Sequence, residues 1–287
     1  MGGYGLFGVI LDLDLEATPN ILLEPTFEPL PSVAIGTRFM EICADTAVKM
    51  AYGRLNVAKD SFLADALMVS YRPHAMPAGR LPPVHAGGVA TTLTREVYRA
   101  EINSDLAKRF RWFMETVVGP RAESGPVTRN MLLNEAVAAL AGHDLKRTDI
   151  LHEYFVPPER FVDFLSACRE VIPKAHQELL NVTLRFVAAD NISVLAYAPT
   201  ARIAAVMSFS QALTPDAEAD MQRMTQDLIE RILTLGGTFY LPYRLHARRD
   251  QVARAYLATT AFADCKRRYD PRQLFRNAMW DKWFADA

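Results

Sequence analysis

Between residues 150 and 243 the chain runs through six segments of alternating type, and their order restricts the fold more than any single motif. Residues 150–156 (ILHEYFV) read as a strand that ends at Pro157-Pro158, and 159–172 as a helix with proline at its start, where no amide donor is needed. Residues 179–188 and 202–210 read as two further strands. Residues 215–235 form a long helical pattern stopped by Gly236-Gly237, and 238–243 (TFYLPY) read as a last strand. This β-α-β-β-α-β order is that of a split β-α-β unit. It predicts an α+β fold, an antiparallel sheet flanked by helices.

The start of the chain is of another kind. Gly3, Gly5 and Gly8 match the G-x-G-x-x-G spacing of a dinucleotide fingerprint, but that fingerprint needs a strand before it and a helix after it. Here almost nothing precedes the glycines. Leu11, Leu13 and Leu15 then alternate with Asp12, Asp14 and Glu16, the period of a half-buried strand. A Rossmann unit is excluded on context, and the chain reads as though it began inside a structural element.

Elsewhere, residues 20–28 read as extended and broken by Pro25 and Pro29, 31–44 as a helix, and 47–55 and 62–71 as strands. Residues 72–88 are rich in Pro, Gly and His and read as an exposed loop. Apolar residues recur every three to four positions over 94–118, predicting a helix, with a break at 119–126 and a shorter helix at 130–141. The remainder is helical, with Phe275, Trp280, Trp283 and Phe284 spaced for packing.

Composition narrows the function classes. The chain has 287 residues, enough for about two domains. Its formal net charge of −1 gives no field to draw in nucleic acid. Cys43, Cys168 and Cys265 are odd in number and widely separated, which points to reduced thiols in a cytoplasmic protein. No apolar run approaches the roughly 20 residues of a transmembrane helix. The histidines show no metal-ligand spacing, and no G-x-S-x-G elbow is present.

Polar groups stand out on strands that otherwise read as buried: Glu153, Arg185, Gln211 and the pair Tyr243-Arg244. By alternation His152 and Tyr154 face away from Glu153, Thr183 shares a face with Arg185, and Ser208 with Ser210. Two explanations stand. Glu153 and Arg185 neutralise one another on adjacent strands, since an unpaired buried charge is costly, or the groups converge on a polar substrate. His246, just after the last strand, is a candidate base or an ordinary surface histidine.

Four stretches together resemble the C-terminal half of FAD-linked oxidases of the vanillyl-alcohol-oxidase type, in particular aldonolactone and sugar oxidases. They are GGYGLFGVILDLDLEATPN at the start, LLNVTLRFVAAD, GGTFYLP and KRRYDPRQLFRNAMW. The resemblance implies a short remnant of an FAD-binding domain over 1–19 and a substrate (cap) domain over 20–287. It implies oxidation of an alcohol carbon of a sugar, lactone or related polyol by hydride transfer to flavin. It implies catalytic roles for Tyr243, His246 and Arg185, substrate binding by Glu153, Gln211 and Arg244, and cofactor contacts from Gly5, Gly8, Val9 and Tyr240. Where aldonolactone oxidases carry His-Trp-x-Lys this sequence reads Leu241-Pro242-Tyr243-Arg244, and Thr183 stands where they carry Glu, so the substrate is left open.

The pyrophosphate loop of that family has no counterpart in this sequence. The expectation is that FAD is not retained by this chain alone and that a separately encoded FAD-binding domain completes it. The alternative is a catalytically silent fragment or an interaction module with no flavin of its own.

Overall fold

A computed structural model describes residues 2–75, 81, 98–122, 125–134 and 144–285. Its centre is one antiparallel sheet of eight strands in the order β4-β1-β3-β2-β6-β7-β5-β8. The strands are β1 (Leu22–Pro31), β2 (Met50–Leu55), β3 (Asp65–Pro73), β4 (Val127–Thr128), β5 (Arg147–Val156), β6 (Glu178–Val187), β7 (Arg202–Ala212) and β8 (Thr238–Phe239). The α+β class expected from the order of segments is what the chain adopts.

One face of the sheet holds the main core. Ile150, Tyr154 and Val156 of β5, Met207 and Phe209 of β7, and Val182 and Leu184 of β6 all point to it. Three helices cover that face: α1 (Ser32–Ala44), α3 (Phe161–Val171) and α4 (Pro215–Thr234). Each presents apolar residues at helical spacing, such as Ile35, Phe39 and Ile42 on α1 and Met221, Leu228 and Ile232 on α4. Thr214 caps α4 by accepting from the Ala217 amide, with Pro215 at the first helical position.

The opposite face divides into two halves. Over β1, β3 and β2 a smaller apolar cluster of Leu23, Leu67, Val69 and Tyr71 is packed by Tyr52 and Trp112. Trp112 belongs to α2 (Asp105–Phe113), which runs on through a π-helical turn, Met114–Val118. Arg111 ties this segment to β6 through Asn181 Oδ1 (2.9 Å) and the Leu180 carbonyl (2.8 Å), and Lys108 reaches Glu178 at 2.9 Å. Toward Glu153 on β5 and Arg185 on β6 the described residues leave the same face uncovered, with Arg185 and Leu151 exposed.

The C-terminal helices are α5 (Arg249–Ala255), α6 (Thr259–Tyr269) and α7 (Ala278–Trp283). They grip the start of the chain. Leu6 is fully buried, its carbonyl accepts from Lys266 Nζ at 2.6 Å, and Asn277 donates to the Tyr4 carbonyl at 2.9 Å. Tyr4 and Phe7 set ring edges against Phe262. As the tail pattern predicts, Trp280, Trp283 and Phe284 are core residues, whereas Phe275, expected with them, is half-buried outside the core cluster with its ring near the Lys266 ammonium.

Several expectations are corrected. Leu11–Leu15 is not a strand: among the described residues the backbone pairs with nothing there, and Leu11, Leu13 and Leu15 are 92%, 54% and 76% exposed. Side-chain alternation marks a strand's faces, but a strand also needs a neighbour for its amides. β1 runs through Pro25 and Pro29 instead of breaking. β4 covers only its first two residues, so the rest is an edge where missing donors are tolerated. The last strand stops at Phe239, apart from one further bond from the Tyr240 amide to the Glu153 carbonyl (2.9 Å).

The helical segment continues through Gly119 to Ala122. The helix expected over 130–141 is seen as Arg129–Leu133, its later part lying outside the described residues. Most of the loop at 72–88 and the start of the helix expected at 94–118 also lie outside them.

Candidate active site

Glu153 is the centre of the open half-face. Its neighbours on β5, His152 and Tyr154, point into the helix-side core, so alternation alone turns Glu153 the other way. Its carboxylate accepts a long hydrogen bond from the Tyr243 hydroxyl, Oε2 to Oη 3.5 Å. Three tyrosines form a wall beside it. Tyr197 stacks on Phe155 at 4.3 Å, Tyr240 meets Tyr197 edge-on at 5.9 Å, and Tyr243 meets Tyr240 at 4.8 Å.

Arg185 stands on the same face but not on an adjacent strand. Glu153 pairs with Val206 and Arg185 with Ala204, so β7 lies between them. The adjacent-strand neutralisation weighed from the sequence is therefore replaced by attraction across a strand. Burial pushes the Glu153 carboxyl above the usual carboxylate range, while Arg185 and the Tyr243 phenol pull it back. Burial, and then the charge of Glu153, raise the Tyr243 phenol. Further along the face, Arg54 donates to Asn181 Oδ1 (2.9 Å) and Thr183 Oγ1 (2.5 Å), and Ser208 bonds Tyr98 at 2.6 Å. A half-buried carboxylate with a raised pKa, a phenol and a guanidinium thus share one accessible surface. Such a set can accept a proton from a hydroxyl and hold the oxygen left behind.

Gln211, Arg244 and His246 are not part of this set. Gln211 follows Phe209 and Met207 on the helix side of β7, and all three residues gather around Glu218 in the first turn of α4. Glu218 accepts from Gln211 Nε2 at 2.7 Å and bonds His246 Nε2 at 2.8 Å, with Arg244 at 3.7 Å. Behind His246 lie Thr225 and His152, which burial and then the nearby His246 push down to about 3. A shallow depression at the edge of β5, lined by Glu153, Tyr240, Tyr243, Arg244 and Thr225, joins the two groups.

Tyr197 and Glu218 were not legible as site residues. Tyr197 sits in an aperiodic loop, and Glu218 reads as an ordinary acidic residue at a helix start.

The residues fit a flavin unequally. The tyrosine wall and the open sheet face offer a flat surface beside Glu153. Gly5 and Gly8 have no atom within 4 Å of where a Cβ would stand, and Val9 is 72% exposed, so the turn packs on its own chain through Tyr4, Leu6 and Phe7 rather than through these residues. Phosphate binding needs several convergent amide donors; in this turn the Leu6 amide is spent on the Gly3 carbonyl, and the Tyr4 and Leu6 carbonyls accept from Asn277 and Lys266. Among the described residues no group of His, Cys, Asp and Glu is placed to hold a metal, and no helix is long and apolar enough to cross a membrane.

No protein-family description and no curated protein matches the chain. Among solved structures it is similar to berberine bridge enzyme from Eschscholzia californica in its monoclinic crystal form. The likeness covers 91% of this chain and 54% of that one, with 9% identity and a TM-score of 0.42. The chain thus spans about half the length of the structure it resembles.

Proposed function

We propose that the chain is the substrate-side part of an FAD-dependent oxidoreductase acting on an alcohol carbon of a sugar, lactone or related polyol. The observation that carries this reading is the shared open face of Glu153, Tyr243 and Arg185, with Tyr197 and Tyr240 walling one side. FAD, when bound, would supply the hydride acceptor. The chain's own part is to orient the alcohol and move its proton. Glu153 Oε2 takes the hydroxyl proton, its raised pKa making it a stronger base than a solvated carboxylate. Arg185 attracts the oxygen as negative charge develops, and Tyr243 keeps the carboxylate aimed.

The dinucleotide half of the cofactor site is assigned in this reading to a separate FAD-binding domain. The exposed apolar and acidic alternation of Val9–Glu16 is suited to lie against that domain as a strand. The same segment favours a second reading, an interaction module without flavin.

A panel of sugars, aldonolactones and polyols added anaerobically to the protein with FAD, with and without a co-expressed flavin domain, separates the two. Bleaching of the flavin by a member of the panel supports the oxidoreductase. A preparation that never takes up FAD, alone or with the flavin domain, supports the interaction module, and one that holds FAD yet is bleached by none of them removes sugars, aldonolactones and polyols as substrates.

A further inference from the structure

We propose that the open face takes a sugar bearing one carboxylate, and that the guanidinium of Arg54 binds that carboxylate. A sugar acid as the substrate rests on the oxidoreductase reading given above. The anion site itself rests on register, hydrogen bonds and charge.

Register puts Arg54 in the row of Glu153. Glu153 pairs with Val206, Val206 with Thr183, and Thr183 with Arg54, across β5, β7, β6 and β2. Arg54 leans back along this row, its Nη1 donating to Thr183 Oγ1 at 2.5 Å and to Asn181 Oδ1 at 2.9 Å. The guanidinium also lies 5.5 Å from the ring centre of Tyr52, on the same face of β2. The head group is thereby held over β6, two strand spacings or about 10 Å from the line of Glu153. The short side chains of Val206 and Ala204 floor that gap, which is wide enough for one sugar ring.

These contacts fix one side of the guanidinium and leave the other open. Among the described residues, Nε and Nη2 of Arg54 meet no acceptor, and no carboxylate stands within ion-pair distance of them. The Nε–Nη2 edge is one that receives a carboxylate through two parallel hydrogen bonds.

The charges around Arg54 are matched elsewhere. Lys108 pairs with Glu178 at 2.9 Å, and Arg111 with Glu101 and Glu115 at 2.8 Å each. Arg147, at the far end of β5, is bonded to Ser210. Arg185 is attracted to Glu153 across β7. With Glu153 ionised and balanced by Arg185, the charge of Arg54 is left over on this part of the face. One unmatched guanidinium suits a monoanion. A carboxylate brings that single charge and a flat edge of two oxygens, whereas a phosphate monoester brings nearly two charges. With its carboxylate on Arg54, the sugar extends a hydroxyl toward Glu153 and leaves Arg185 to the reacting oxygen.

The first test needs no flavin. The Nε–H resonance of Arg54, assigned by its loss in Arg54→Lys, is followed at low salt while D-glucuronate, D-glucose, acetate or glucose 6-phosphate is added to the chain. Glucuronate should shift it saturably and bind about tenfold or more tightly than glucose, the worth of a charge-assisted hydrogen bond. It should also bind more tightly than acetate and than the phosphate ester. Thr183→Glu sets a carboxylate beside Arg54 and should abolish the preference. Thr183→Gln, equal in shape but uncharged, should keep it. Glucuronate binding no better than any of the other three would overturn the proposal. So would a preference that survives Thr183→Glu, or one lost equally in Thr183→Gln. With FAD loaded, bleaching by glucose and not by glucuronate would contradict the proposal and keep the oxidoreductase. Glucuronate bound at Arg54 without bleaching would sustain the anion site and count against the oxidoreductase, so the two ideas fall separately.

Discussion

Lys266 Nζ donates to the carbonyl of Leu6, 260 positions away in the chain, at 2.6 Å, and this bond ties the first residues to the last helices. Lys266 is fully buried. Its other two donors go to Asp270 and to the Phe275 carbonyl, so all three ammonium hydrogens are used. The side chain also lies 5.9 Å from the ring centres of both Phe275 and Trp280. The stretch KRRYDPRQLFRNAMW is therefore a clamp, with Lys266, Asp270, Asn277 and Trp280 as its working parts.

Replacing Lys266 with Met removes the cation from a closed site and leaves its acceptors unpaired. Loss of one partner of a buried pair costs about 3–5 kcal/mol. Denaturant unfolding of Lys266→Met should show a loss of that size, and proteolysis should open the chain near Leu6 first. A variant as stable as the parent would mean that the clamp is incidental.

Acid should loosen the same clamp. The hydrogen bond from Lys266, helped by the amides of Leu274 and Phe275, holds the Asp270 carboxyl at about 2. A carboxyl depressed on folding contributes stability above its unfolded value of about 3.9 and loses it as pH falls toward the folded value. Thermal midpoints should drop between roughly pH 4 and pH 2, and Asp270→Asn should flatten that drop while lowering the midpoint at neutral pH.

Glu101 should behave in the opposite sense. Burial pushes its carboxyl up to about 7, against the pull of Arg111, whose Nη1 lies 2.8 Å from Oε1, and Oε2 is buried without a hydrogen-bond partner among the described residues. A carboxyl raised on folding favours the fold while it is protonated. Stability should therefore fall as pH rises from about 4 to about 7. Glu101→Gln should remove this slope, read as the pH dependence of amide exchange over 98–118. An unchanged slope would place the titrating group elsewhere.

How far the chain could be read in advance depended on what each segment needs from its neighbours. β5, β6, β7 and α4 were legible because their periodicity and end signals are local: Pro157-Pro158, Thr214-Pro215 and Gly236-Gly237 mark them. Leu11–Leu15 carried an equally clean alternation, yet pairing is a property of two strands and the second is not in the sheet. In the site, Glu153, Arg185 and Tyr243 were visible as polar residues on strands. The side taken by Gln211 was also legible, because it shares parity with the apolar Phe209 and Met207. Tyr197 and Glu218 join through the path of loops, and no periodicity reports that.

Gly237 tests how closely β8 must approach the site strand. A Cβ there would stand 2.6 Å from Ile232 Cγ2 and 2.9 Å from the Phe155 carbonyl oxygen, whereas Gly236 needs only its positive φ of +72°. Gly236→Ala should cost about 1 kcal/mol, the low end of the left-handed penalty for a residue with a Cβ. Gly237→Ala should cost more, about 1–3 kcal/mol, because β8 must retreat from β5. Thermal melts of the two variants give the order, and a reversed order would contradict the packing described.

The central claim is that Glu153 takes the substrate's proton. The direct measurement is the anaerobic rate of flavin reduction by an active alcohol in the FAD-loaded protein, compared with Glu153→Gln at equal FAD content. General base catalysis contributes about 10²–10⁴-fold. A loss within that range, with the falling rate of the parent at low pH absent from the variant, is the predicted result. A Glu153→Gln rate within about threefold of the parent, far below that range, would contradict the account.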